Sequence, residues 1–107
     1  MYNLYFGCFT CFEDIIEVFE ISDKELSGIE IVYAAYDQGD YDGSAHVIYI
    51  ENNKLYEVNG SHCSCYGLEG QWLPEETTFK ALMFRPNVSQ DAKANLAKRY
   101  SHLVCFL

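Results

Sequence analysis

Bases are scarce in this chain, and in its first 42 residues they are almost missing. Seven Lys and Arg stand against sixteen Asp and Glu, for a formal net charge of −9. Residues 1–42 hold ten acids and one base, Lys24, whereas residues 43–107 balance six acids with six bases. That sign disfavours direct binding to nucleic-acid phosphates. It favours approach to a basic protein surface. No apolar run is long enough to span a bilayer, so no membrane partner is expected. The opening residues Met1-Tyr2-Asn3-Leu4-Tyr5-Phe6 carry no basic region, and Glu13 and Asp14 interrupt the apolar residues that follow. The expectation is therefore a cytosolic chain without a secretory signal. There cysteines serve as thiols or ligands rather than as structural disulfides. Also missing are a phosphate-binding loop, a nucleophile elbow and a His-Glu-x-x-His pair.

What is present suffices for one domain. Half of the 107 residues are hydrophobic, with nine Tyr and seven Phe, enough for one core and too short for two. Thr10-Cys11-Phe12-Glu13 fits a capping box. Phe12, Ile15, Ile16 and Phe19 follow at helical spacing, opposite Glu13, Glu17 and Glu20, which predicts a helix over 11–20. Ser22-Asp23-Lys24-Glu25 predicts a short helical turn that Gly28 stops. Residues 29–36, 45–50 and 54–58 read as strands. Asn52-Asn53 suits a tight hairpin, because Asn tolerates positive φ. Pro74-Glu75-Glu76-Thr77-Thr78 reads as a helix entry, with Phe79, Leu82 and Met83 as its apolar stripe and Pro86 as its end. Ser89 is placed to cap a last helix carrying Ala92, Leu96, Tyr100 and Leu103 on one face. The expected fold is α+β: a three-stranded antiparallel sheet with helices at both ends packed on one face.

The chemistry-bearing segment is Gly60-Ser61-His62-Cys63-Ser64-Cys65-Tyr66-Gly67. Thiolate and imidazole are donors that zinc prefers, so His62, Cys63 and Cys65 are candidate ligands clipping the fold. Cys63 and Cys65 share a face of an extended chain, and His62 joins them only if the chain turns at Ser61 or His62. The fourth ligand is open: Cys8 and Cys11, spaced like a zinc knuckle, or a carboxylate such as Asp37, Asp40 or Glu76. Cys8 and Cys11 sit in an aromatic run and read equally well as small buried hydrophobes. Cys105 lies in an apolar run and reads as core, and His46 and His102 read as structural.

The blocks Gly39–Ala45, Lys54–Trp72 and Pro74–Thr77 together resemble a group of small phage and prophage proteins. The chain is also similar to zinc-containing anti-CRISPR proteins directed at type II-A Cas9. That resemblance implies a non-catalytic inhibitor in the host cytoplasm that binds the nuclease and blocks nucleic-acid loading. It implies a structural zinc on His62, Cys63 and Cys65. The competing expectations are a small enzyme using Cys63 or a zinc-bound water, and a phage structural or regulatory module.

Overall fold

The computed structural model describes residues 4–38, 43–62, 68, 70–86 and 88–104. Five strands form one mixed sheet in sequence order: β1 (Tyr5–Gly7), β2 (Glu30–Gln38), β3 (Gly43–Glu51), β4 (Lys54–His62) and β5 (Glu75–Thr77). β1 runs parallel to β2, and the other pairings are antiparallel. Among the described residues there are also three helices: α1 (Phe12–Phe19), α2 (Phe79–Phe84) and α3 (Gln90–Val104). The α+β class stands as expected. Among the described residues no helix is long and apolar enough to cross a membrane.

The three expected strands form the centre of the sheet, and two short strands were not foreseen. β1 pairs Tyr5 with Ala34 and Gly7 with Tyr36. A parallel partner needs a crossover, and α1 with a 3-10 turn over Asp23–Leu26 supplies it. β5 occupies the stretch read as a helix entry and pairs Leu55 with Thr77 and Glu57 with Glu75. The Asn52-Asn53 hairpin is as expected, with both residues at positive φ, 53° and 64°.

The helices cover both faces of the sheet rather than one. Ile15 and Phe19 of α1 are fully buried against Ile31, Ala34, Val47 and Val58 on the first face. Leu82 of α2 and Ala92 and Leu96 of α3 are fully buried against Val32, Tyr33, Ile48 and Leu55 on the second. Each of the larger of these side chains contributes about 1.5–3 kcal/mol by leaving water. A bulge between Ile31 and Tyr33 turns both Val32 and Tyr33 toward the second face. Buried Asn95 on α3 donates to the Val32 carbonyl at 3.1 Å, so the bulge and the last helix specify each other.

The helix ends differ from expectation in one place. Cys11, not Thr10, stands at the N-cap of α1 and makes no side-chain cap. Asp14 reaches back instead, accepting from both the backbone N–H and the hydroxyl of Thr10 at 2.8 Å. Those hydrogen bonds hold its carboxyl below the usual Asp range. Thr78 and Ser89 do cap their helices, accepting from Ala81 N at 3.0 Å and Ala92 N at 3.1 Å.

Candidate functional site

The expected metal segment begins on a strand. β4 runs straight through Ser61 and His62, in register with Ser44 and Gly43. The turn expected at Ser61 or His62 is therefore not made there: both residues are extended strand. Gly60 is needed for close packing rather than for a turn. A Cβ there would stand 3.0 Å from a Leu68 methyl and 3.3 Å from the Phe19 ring. Beyond the segment the chain returns to the same strand. Gln71 donates its Nε2 to the Ser61 carbonyl at 2.6 Å and accepts the Ser61 N–H at 2.8 Å. Its side-chain amide thus imitates a paired strand, and Leu68 is fully buried nearby. These two hydrogen bonds hold Gln71 beside the end of β4.

The candidate ligands divide into those the structure places and those it does not describe. Cys63, Cys65, Asp40 and Cys105 lie outside the described residues, as do the side chains of His62 and His102. Cys8 is exposed and Cys11 half-buried, so neither is the buried core residue that one reading expected. Cys8 follows β1, while His62 ends β4, with β2 and β3 between them. Three interstrand steps span ~14 Å. Glu76 pairs with Tyr56, six residues up β4 from His62 and thus ~20 Å away. That separation removes Glu76 as a partner of His62 on one ion. Asp37 is exposed and pairs with Ser44, the neighbour of Ser61, at the His62 end of the sheet. Among the described residues no group of three or more His, Cys, Asp and Glu is arranged to hold a metal ion.

The acidic surface has a definite geometry. Glu13, Glu17 and Glu20 are exposed, one stripe at helical spacing, while Ile15 and Phe19 anchor the opposite side of α1. Glu13 stands in the first turn, where a carboxylate suits the dipole, but the rest of the stripe opposes local stability. Glu13 and Glu17 are like charges four apart, which costs a few tenths of a kcal/mol. Glu17 and Glu20 lie at the negative end of the helix dipole, and no base stands in the last turn. Glu20 also ends the helix in the left-handed conformation, φ 53° and ψ 49°, where glycine is usual.

Searches of protein-family models, of curated proteins and of solved structures return no match.

One polar cluster escaped the sequence reading. Glu57 on β4 is 5% exposed, on the second face of the sheet. Arg85, just past α2, donates Nη1 to both of its carboxylate oxygens at 2.7 and 2.9 Å. His46 on β3 lies 2.9 Å away through Nε2, and its ring packs edge-on against Tyr33 at 5.9 Å. Tyr33 in turn accepts from the Ser89 hydroxyl at 2.9 Å. Burial alone would raise the Glu57 pKa, but the hydrogen bonds from His46 and Arg85 and the Arg85 charge outweigh it and hold the carboxyl below its usual range. Each of these groups is engaged by its neighbours, so the cluster reads as a buried clamp joining α2 and α3 to the sheet. A signal was available: Leu55-Tyr56-Glu57-Val58 has no polar face, so its one acid had to be enclosed.

Proposed function

We propose that this protein is a non-catalytic binder of the phage-inhibitor kind, which docks its acidic face on the nucleic-acid-binding surface of a host defence nuclease such as type II-A Cas9. The observation that carries the reading is the carboxylate stripe Glu13, Glu17 and Glu20 on α1. Its side chains are presented to solvent by a helix whose other side is fixed in the core, and two of them, Glu17 and Glu20, stand at the C-terminal end, where they weaken the helix. A surface kept at a cost to stability points to a role outside the fold. Cas9-type nucleases hold their heteroduplex in a positively charged channel. A rigid acidic stripe is complementary to such a channel and speeds encounter with it.

Zinc belongs to this proposal as a structural clip on His62, Cys63 and Cys65. The Ser61–Gln71 pairing supports it by closing the loop that carries the three residues. Two thiolates and an imidazole suit zinc, and a fourth protein ligand would close the site.

The test is a DNA-cleavage assay with a type II-A Cas9, adding the chain before or after the guide RNA. The reading expects inhibition when the chain is added first and loss of inhibition with Glu13→Lys, Glu17→Lys and Glu20→Lys combined. Full inhibition by that triple variant would show that the acidic stripe is not the docking face.

A further inference from the structure

The first face of the sheet carries a second feature beside α1, a layered set of aromatic rings bordered by carboxylates. Tyr49 stacks with Tyr56, ring centres 5.4 Å apart and planes 21° apart. It also stacks with Trp72 at 6.0 Å and 10°. Phe19 of α1 meets Trp72 edge-on at 5.1 Å, which joins the set to the acidic helix. Tyr49 is buried, whereas Tyr56 and Trp72 are only half-buried at the edge of the first-face core.

The border is acidic. Glu76 is exposed and stands opposite Tyr56 across the β4–β5 pairing, so the two share a face. Glu51 is two residues beyond Tyr49 on the same face of β3. Glu25 lies near enough to act on the Tyr49 phenol. That hydroxyl is pushed up to about 12, first by burial, then by Glu51, Tyr56 and Glu25. Lys54 pairs with Glu51 and offsets part of that charge. Two further carboxylates remain against it.

We propose that Tyr56 and Trp72, backed by Tyr49 and bordered by Glu25, Glu51 and Glu76, receive an arginine side chain of the protein partner. The inference rests on the binding role above and names the chemistry of one contact. A guanidinium is flat, so it can lie on a ring as a further layer of the stack. Its edge carries N–H donors in a fork that fits a carboxylate such as Glu76. An ammonium has the charge but neither the plane nor the fork. The patch therefore selects arginine over lysine, and an arginine-bearing surface over a merely basic one.

Trp72 is the only tryptophan, so its fluorescence reports on the patch directly. The probes are hexa-arginine and hexa-lysine peptides, titrated at one fixed ionic strength. Three proteins are compared: the unaltered chain, Glu76→Lys on the exposed edge strand, and the α1 triple variant. Tyr56→Leu serves as a second patch variant, checked for folding by circular dichroism. Hexa-arginine is expected to change the Trp72 signal saturably and to bind at least ~3-fold tighter than hexa-lysine. Glu76→Lys should weaken it at least ~5-fold, and the α1 variant by less than ~2-fold. Equal binding of the two peptides would overturn the proposal, as would an unchanged response in Glu76→Lys. A response lost only in the α1 variant would also overturn it and leave the acidic-helix reading standing. A patch that binds hexa-arginine in a chain that does not inhibit the nuclease would sustain this inference and sink the functional one.

Discussion

Replacing Glu20 with glycine should make the protein more stable, even though it deletes a charged side chain and nothing is gained in contact. α1 ends in a Schellman arrangement: Ile21 N–H bonds to Ile16 carbonyl at 3.1 Å and Glu20 N–H to Glu17 carbonyl at 3.3 Å. Ile16 and Ile21 both pack against the first-face core, as that motif requires. The geometry puts Glu20 at φ 53°, where a side chain costs ~1–2 kcal/mol. A carboxylate at the negative end of the dipole costs a further ~0.3–1 kcal/mol. Glycine removes both but loses ~0.5–1 kcal/mol through its freer unfolded chain. The net expectation is ~1 kcal/mol of added stability, or ~4 °C in Tm. Glu20→Ala keeps the strain and relieves only the dipole, so it should gain less than half as much. Urea and thermal unfolding of the three proteins, at low salt and in 1 M NaCl, separate the causes. Salt should shrink the alanine gain and leave the glycine–alanine difference intact. If Glu20→Gly is no more stable than Glu20→Ala, the left-handed position costs nothing and the reasoning fails.

Four further outcomes are expected. Arg85→Leu leaves Glu57 with His46 alone and should cost ~2–3 kcal/mol at neutral pH. Because the folded Glu57 pKa is depressed, its contribution is present above the ordinary carboxylate range and is lost as pH falls through it. The gap between Arg85→Leu and the unaltered protein should therefore narrow on acidification, as urea midpoints at neutral and acid pH will show. Gly7→Ala should cost at least ~2 kcal/mol, since Gly7 sits at φ +67° and a Cβ would collide with the Tyr36 carbonyl that β1 pairs against; thermal melting reads it. Asn95→Ala should cost ~1–3 kcal/mol by leaving the Val32 carbonyl without its donor, again read by urea unfolding. Metal analysis of freshly purified, reduced protein should find about one zinc per chain. That zinc should vanish in Cys63→Ser with Cys65→Ser and survive in Cys8→Ser with Cys11→Ser, because β2 and β3 separate the latter pair from His62.

Local chemistry made the centre of the fold legible, and long-range pairing hid the edges. The Asn52-Asn53 hairpin could be read because both residues must take positive φ. The cap at Ser89 could be read because a hydroxyl followed by a helical stripe has few other uses, and Thr78 closed a segment already read as a helix entry. β1 could not: three residues find their partner almost thirty positions on, and nothing in Tyr5-Phe6-Gly7 specifies a strand by itself. β5 was hidden by Glu75 and Glu76, which look like a first helical turn but serve to charge an open sheet edge. The two-sided sheet left a trace, since Ile29–Tyr36 is almost continuously apolar and a strand with one wet face alternates. Of the functional surface, the α1 stripe was readable from its period. The Tyr49–Tyr56–Trp72 stack was not, because it joins two strands to a connecting residue 23 positions on from Tyr49.

The claim that matters most is that the α1 stripe is a docking surface, and the salt dependence of binding tests it most directly. The affinity of the chain for guide-free type II-A Cas9 should be measured from low to high salt, beside the triple variant Glu13→Lys, Glu17→Lys, Glu20→Lys. Lysines at 17 and 20 suit the helix dipole, so the variant should stay folded. The account predicts affinity that falls steeply with salt in the unaltered chain, with weak binding and a reversed or flat slope in the variant. Equal affinity and equal slopes in the two proteins would contradict it.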